Sequence, residues 1–520
     1  MVVCEKYFKA GNKMKAIAVS ILLNDVSLQM ELNSYDIMTL VDNSLEPLPK
    51  ERSRRLKLDE EHKYKYFKVK PYTAASEKSN VWFTEAWKEL VKISTPIANK
   101  FRMLSDYMIG FSNDQAACCL IFCMAIRKVV EDPVEMAIRV VRDPVGCKSL
   151  TTILKGLGAN CTEVGSLFCE AQALQGRGEG IPDMRSKCKE RIGRLGTSSC
   201  PQQFDEDLLR RAIRVVLDEE MDMSKYRCPD MDKFWSKRWL WCVNGSHSRV
   251  LERHEPKLAI DFAGQAHRRV AMEHWRDNPI IGWDGITYVS ASVKLETGKT
   301  RLILACDSRS YVAFSHLLSG VENCWRNSRT ILDPGAMGFI GLQERVTALE
   351  GEIYVMMDYD DFNSQHTLLS QQLVISETCD KVGYPEELAR VLIRSFERML
   401  ITVEGEDVGY ASATLMSGHR GTTYINSILN SAYVYCSAPH LWNKFSSIHT
   451  GDDVVAKFNS YSDINELFAC LREFGIRMNP MKQSVGKVCA EFLRVAITPA
   501  YCVGYVCRAI STSVAGNWGS

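Results

Sequence analysis

The chain has 520 residues with a formal net charge of +1, and it is 46% hydrophobic and 24% charged. That is ordinary globular composition, too long for one small core and suited to two to four domains or one multi-lobed enzyme. Near-neutral charge excludes a global basic field, so a nucleic-acid partner has to be held by local basic patches. The 19 cysteines are odd in number and show no CxxC spacing, which argues against zinc ribbons and for reduced thiols in a cytosolic compartment. No run approaches 18 apolar residues, so no membrane span is expected.

Residues 1 to 48 alternate short apolar segments with polar joints and suggest no assignment. AIAVSILL at 16–23 is the nearest thing to a signal peptide, but it lacks a small-residue cleavage site. Residues 50–70 hold nine Lys or Arg against four acids, with Tyr64, Tyr66 and Phe67 interleaved. Bases can stack on such aromatics while cations hold phosphates, although a solvated surface segment is the commoner reading of a charge run. Residues 86–170 read as mostly helical, and the glycine- and proline-punctuated stretch 174–201 as a long loop.

KLETGKTRLI at 294–303 brings Lys294, Lys299 and Arg301 into a short span. If it is extended, Lys299 and Arg301 share a face and can clamp a triphosphate; an exposed basic hairpin is the bland alternative. GAMGFIG at 335–341 lacks the strand–helix context of a dinucleotide site. IYVMM at 353–357 reads as a buried strand ending at Asp358, with Asp360 and Asp361 in the turn beyond. An acidic turn capping the next element explains these equally well in isolation.

Pro385 opens a helix with Leu388, Val391, Leu392 and Phe396 on one face. In SGHRGTTYINSILN, 417–430, Ser417 and Gly418 read as a flexible loop. Thr422 and Asn426, four apart, share one face of the following helix, where a hydroxyl and an amide can read a sugar hydroxyl. HTGDDVVAKF, 449–458, places Asp452 and Asp453 at a turn between the strands 445–449 and 454–458. Turn chemistry alone accounts for a Gly-Asp pair. Two carboxylates with Asp358 on a neighbouring strand, however, supply oxygen ligands for Mg2+. Ser462 reads as the cap of a helix with Ile464, Leu467, Phe468, Leu471 and Phe474 in its core stripe and Gly475 as its stop. The mixture of strands and helices is α+β.

The order of basic clamp, strand-end Asp, SGxxxTxxxN and GDD resembles motifs F, A, B and C of viral RNA-dependent RNA polymerases. The wordings DYDDFNSQH, SGHRGTTYINSILN and KLETGKTR are most similar to the totivirus-like polymerases of double-stranded RNA viruses. The resemblance covers about residues 290–500, and WCVNGSHS at 241–248 resembles a stretch upstream in that group, near the template entry. It implies a right-hand fold of fingers, palm and thumb with an antiparallel palm sheet and a helix-rich N-terminal region. Residues 1–240 would be an N-terminal extension and part of the fingers, 241–350 fingers with motif F, and 351–380 palm. Residues 381–410 would connect fingers and palm, 411–500 would be palm again, and 501–520 the start of a short or truncated thumb.

The resemblance further implies two Mg2+ ions, with Mn2+ as a possible substitute, held by Asp358, Asp452 and Asp453. Lys482 falls at motif D, as a candidate general acid. Lys294, Lys299, Arg301, Asn363, Ser417, Gly418, Thr422 and Asn426 would bind the nucleotide, with Asn426 and Asn363 at the ribose 2′-hydroxyl. AEFLRVAI at 490–497 resembles the motif E strand. Many family members have a second Asp five residues after the first, where this chain has Asn363. The implied partners are RNA template, nascent RNA, ribonucleoside triphosphates and a viral capsid protein. The implied locations are the virion interior and host cytoplasm, without a membrane. Natural fusion to a capsid protein is left open. A reverse transcriptase would carry an aromatic where Thr450 stands and would lack the SGxxxTxxxN helix. A catalytically silent RNA-binding, capsid-associated relic would have no reason to keep three mutually repelling carboxylates together.

Overall fold

The computed structural model describes residues 26–49, 79–177, 183–192, 204–242, 244–264, 266–296, 299–479 and 482–516. The basic–aromatic stretch 50–70 and the segment 16–23 lie outside the described residues.

The strands in chain order are β1 (Ser27–Leu28), β2 (Thr287–Glu296), β3 (Lys299–Cys306), β4 (Ile353–Met357), β5 (Met399–Val403) and β6 (Glu406–Tyr410). They continue with β7 (Ser446–Thr450), β8 (Asp453–Phe458), β9 (Ser484–Gly486), β10 (Ala490–Phe492), β11 (Val495–Ile497) and β12 (Cys502–Gly504). Three sheets result, in the orders β1-β9-β4-β8-β7, β3-β2-β5-β6 and β10-β11-β12. In the first sheet β4 pairs antiparallel with both β8 and β9, and β7 with β8, while the short β1 adds in parallel to β9.

The unbroken apolar run of β4 follows from its position. Ile353, Val355 and Met357 pack into the main core, whereas Tyr354 and Met356 pack into a separate cluster on the opposite face. A strand covered on both faces needs no polar alternation. The helix Thr422–Ser437 lies in the main core, with every residue from Tyr424 to Val434 buried. The second face is covered by Leu342 and Val346 of the helix Gly338–Thr347 and by the β10–β11 hairpin. A third cluster joins the helices between Ser34 and Gln175 to the helix Val506–Ala515, through residues such as Phe122, Phe168, Cys507 and Val514. The helical reading of 86–170 holds, and the unassigned N-terminal segment contains the helix Ser34–Ser44 with a capping box at Asn33.

Four local expectations change. The stretch 174–201 holds the helix Met184–Ile192, started by Asp183, whose carboxylate accepts from the Ser186 N–H at 3.0 Å. Its surface is so polar that no apolar periodicity marks it. The helix Tyr461–Glu473 is capped by Ser460, whose hydroxyl oxygen accepts from the Ser462 and Asp463 N–H groups, rather than by Ser462. Its stripe Ile464, Leu467, Phe468 and Leu471 is buried as expected, and Gly475 ends it at φ +74°. Pro385 precedes the helix Glu386–Ser395 as its cap residue rather than as its first turn. AEFLRVAI is a hairpin of β10 and β11 rather than one strand, because Leu493 and Arg494 turn the chain at φ +50° and +66°.

Candidate active site

Register fixes the centre of the site. Met357 of β4 pairs with Val454 of β8, so the next position outward on each strand is Asp358 and Asp453. Asp452 occupies the β7–β8 turn after Gly451, whose φ is +56°. Three carboxylates therefore gather at one end of one sheet. The proximity registers in the acidity of Asp358 and Asp453. Burial first, and then Asp452 and Glu491, push the Asp358 carboxyl up, opposed by Lys482. Asp453 is pushed up to about 7, first by loss of hydration and then by Asp452, Glu491 and Asp358, with Arg494 opposing. The Asp452 and Asp453 side chains are exposed to solvent, so the cluster lies at the surface rather than in the core.

The Asp358 backbone is clamped from the segment before β9. Gln483 Nε2 donates to the Asp358 carbonyl at 2.7 Å, the Asn479 N–H donates to the same carbonyl at 2.9 Å, and the Asp358 N–H donates to Gln483 Oε1 at 3.3 Å. Lys482 Nζ stands 3.1 Å from each carboxylate oxygen of Asp358. The expected motif D lysine thus reaches the strand-end aspartate directly.

The turn at 451–453 is held from the helix Thr422–Ser437. Asn430, fully buried, accepts at Oδ1 from Tyr359 Oη and His449 Nδ1, each at 2.9 Å, and donates from Nδ2 to the Gly451 carbonyl at 3.0 Å. The Gly451 N–H donates to Ser427 Oγ at 2.8 Å. Behind His449 the chain of bonds continues, with Ser447 Oγ 2.9 Å from His449 Nε2 and Arg329 Nε donating to Ser447 Oγ at 2.8 Å. Asn430 Oδ1 can only accept, so neutral His449 carries its proton on Nδ1, and its Nε2 accepts from the Ser447 hydroxyl. Burial, then Arg329, keep His449 neutral well below its ordinary range. The loop that carries Arg329 is itself fixed by buried Glu220, which accepts the N–H groups of Ser328, Arg329 and Thr330.

The residues expected to bind the nucleotide divide into two groups. Ser417 and Gly418 are pinned rather than flexible: Ser417 Oγ accepts from the Leu304 N–H at 3.1 Å, and the Gly418 N–H donates to the Leu304 carbonyl at 2.8 Å. A side chain at 418 would lie 2.6 Å from Ala305 Cα, so glycine is required for this close approach. Thr422 Oγ1 lies 2.8 Å from both the Met416 and His419 carbonyls, so its hydroxyl holds the loop. Asn426 and Asn363 do meet: Asn426 Nδ2 donates to Asn363 Oδ1 at 2.8 Å.

Lys294 and Arg301 lie opposite each other on the β2–β3 hairpin, and both face Glu296, at 3.2 and 3.3 Å. Lys299 pairs in register with Glu296, and its side chain lies outside the described residues. The Ser417–Gly418 docking joins β3 to the helix of Asn426, so the basic strand and the amide pair are held as one unit. Sequence reasoning missed Glu491 of β10, which adds negative charge to the carboxylate cluster. It also missed Arg191, which lies 3.6 Å from Asp361 in the acidic turn.

Among the described residues, no set of three His, Cys, Asp or Glu side chains closes into a ready-made metal cage. Mg2+ does not need one: it is held by one or two carboxylates together with substrate phosphates and water. The Lys482 ammonium against both oxygens of Asp358 is a stand-in for a cation, and an open carboxylate cluster with one member titrating near neutrality suits such a guest.

A family model described as viral RNA-directed RNA polymerase matches residues 53–518. The chain is 38% identical over 463 residues to the probable RNA-directed RNA polymerase of Leishmania RNA virus 1 - 1, covering 87% of this chain and 52% of that protein. It is 34% identical over 549 residues to the probable RNA-directed RNA polymerase of Helminthosporium victoriae virus-190S, covering 98% of this chain and 64% of that protein. It therefore spans between half and two-thirds of the length of these curated relatives. Among solved structures, an insertion-loop deletion mutant of a human picorbirnavirus RNA-dependent RNA polymerase aligns at a TM-score of 0.48 and 14% identity, over 76% of this chain and 75% of that one.

Proposed function

The chain belongs to the viral RNA-directed RNA polymerases, totivirus-like in kind, and from that premise we propose that it copies RNA by template-directed nucleotidyl transfer for a double-stranded RNA virus. The observation that carries the proposal is the convergence of Asp358 with Asp452 and Asp453 at one end of one sheet. In this reading the sheet β1-β9-β4-β8-β7 belongs to the palm and the β2–β3 hairpin to the fingers. RNA template, nascent RNA and ribonucleoside triphosphates are its ligands, a capsid protein its partner, and the virion interior its place of work.

Asp358, Asp452 and Asp453 would hold two divalent cations, Mg2+ or Mn2+ in its place. Such ions, when bound, supply the charge that makes a 3′-hydroxyl acidic and steadies a departing pyrophosphate. The new bond joins the 3′-oxygen to the α-phosphorus, the bond from that phosphorus to the bridging oxygen breaks, and the hydroxyl proton leaves to water. Lys294, Lys299 and Arg301 take the triphosphate, exchanging the Glu296 contacts of Lys294 and Arg301 for phosphate oxygens. Lys482, released from Asp358, is placed to give a proton to the leaving pyrophosphate. Asn426 and Asn363 meet the ribose 2′-hydroxyl, while base pairing reads the sequence. Ser417, Gly418 and Thr422 serve this pair by fixing the loop before it.

The test is incorporation on a single-stranded RNA template with Mg2+, comparing the wild-type chain with Asp452→Ala, with ribonucleotides and separately with deoxyribonucleotides. Ribonucleotide incorporation lost in the variant, with RNA binding kept, is expected. A preference for deoxyribonucleotides, or activity surviving in Asp452→Ala, would overturn the assignment.

A further inference from the structure

His366, the last residue of the DYDDFNSQH stretch, is fully buried and is not among the residues assigned above to metal or nucleotide. Its Nε2 lies 2.8 Å from Asn426 Oδ1 and its Nδ1 lies 3.0 Å from Tyr433 Oη. Burial drives its ring down to about 4, so at working pH the imidazole is neutral and has one N–H to give. With that proton on Nε2, the bonds run in one direction: Tyr433 Oη–H to His366 Nδ1, His366 Nε2–H to Asn426 Oδ1, and Asn426 Nδ2–H to Asn363 Oδ1. With the ring proton on Nε2 and Asn363 held as it stands, reversing the Asn426 amide alone would set its oxygen against Asn363 Oδ1 and its N–H groups against His366 Nε2–H, two like contacts in a buried place where each unmade bond is costly.

We propose that His366 is a specificity-determining positioning residue, which locks the Asn426 carboxamide so that it can meet a ribose 2′-substituent only as a hydrogen-bond donor. This deepens the polymerase reading and rests on it. An amide nitrogen carries two hydrogens; Asn363 uses one, and the second is what Asn426 offers a sugar. The site then reads the 2′-oxygen as an acceptor. A 2′-deoxyribose leaves that N–H unpaired, whereas a 2′-fluoro sugar, which accepts but cannot donate, satisfies it in part. The arrangement also gives a physical sense to Asn363. An aspartate there would accept the Asn426 N–H as well, but it would add a further negative charge beside the Asp358 turn.

The experiment measures kcat/KM for UTP, 2′-deoxy-UTP and 2′-fluoro-UTP on an RNA template in the full chain and in His366→Leu, His366→Gln and Asn426→Ala. Wild type is expected to prefer UTP over 2′-deoxy-UTP by at least a hundredfold and to take 2′-fluoro-UTP at least tenfold better than 2′-deoxy-UTP. His366→Leu should cut both ratios at least tenfold. His366→Gln, whose Nε2 can replace that of the ring, should keep them within about threefold. Sugar pucker is the same whichever enzyme is used, so the change between enzymes reads the hydrogen bond. A ratio that survives in His366→Leu while collapsing in Asn426→Ala would overturn this inference alone. A ratio unchanged in Asn426→Ala would remove the ribose role of Asn426 and the inference with it. Should His366→Leu fail to fold, wild type taking 2′-fluoro-UTP no better than 2′-deoxy-UTP would still refute the donor reading.

Discussion

Replacing Asn430 by leucine keeps the side-chain length and removes every polar contact that Asn430 makes behind the 451–453 turn. It strands the Tyr359 hydroxyl and the His449 Nδ1–H, both buried, and the partly buried Gly451 carbonyl. Each buried polar group left without a partner costs about 1–3 kcal/mol, and leucine returns roughly 0.5 kcal/mol as a better helix former. Counting the two buried groups, the net loss is about 1.5–5.5 kcal/mol, concentrated at the hairpin. A chain of this size need not unfold in one step, so the informative assay is hydrogen exchange at the Gly451 amide, which donates to Ser427 Oγ. A loss of about 2 kcal/mol corresponds to roughly a 30-fold fall in protection. Incorporation should fall in parallel, because Asp452 and Asp453 ride on that turn. Protection at Gly451 unchanged from wild type, with a folded protein, would refute the claim that Asn430 holds the turn.

Two further outcomes follow from other parts of the site. Lys482→Met should lower kcat on the order of a hundredfold, the scale of a lost general acid, while the Mg2+ concentration for half-maximal activity stays level or falls because a competing cation has left Asp358; an unchanged kcat would remove Lys482 from the chemistry. Acid should destabilise the fold before it touches most carboxylates. His366 and His419 are held down to about 4 and about 3 by burial, so the unfolded chain takes up protons first as pH falls below about 6.5, and stability present above that value is lost on the way down. At pH 5 each contributes a loss of about 2 kcal/mol, visible as a lower urea midpoint than at pH 7; an identical midpoint at the two pH values would contradict the buried, neutral assignment.

The parts of the site legible in sequence were those with a local pattern. Two apolar strands ending in aspartate, a Gly-Asp-Asp turn and a helix with a 3.6-residue stripe each carry their own signal, and their paired register is what brings Asp358 to Asp453. The supporting residues carry no such signal. Asn430 and Ser427 lie among apolar neighbours in a helix buried on all sides, and His449 and Ser447 interrupt a strand that reads as merely mixed. Their partners come from Tyr359 and Arg329, some 70 to 120 positions away, so only the folded chain reveals that their polarity is spent on one another. Gly418 illustrates the same limit. The sequence suggests freedom, whereas the fold uses the missing Cβ to bring two backbones together. At Leu493 and Arg494 ordinary residues take left-handed backbone, so a hairpin is hidden inside a stretch without glycine, proline or other turn residues.

The sheet that carries the carboxylates is assembled from segments far apart in time as well as in sequence. Strand β4 emerges from the ribosome about 100 residues before β8 and about 130 before β9; at about 5–20 residues per second it waits on the order of 5–25 s for partners on either side. Through that interval both its edges are bare, and Asp358 has neither its carboxylate neighbours nor the Gln483 clamp. The acidic cluster thus comes into being only when nearly all of the described chain has been made. During those seconds an apolar, two-edged strand is open to pairing with the wrong partner, and nothing in the finished sheet yet protects it.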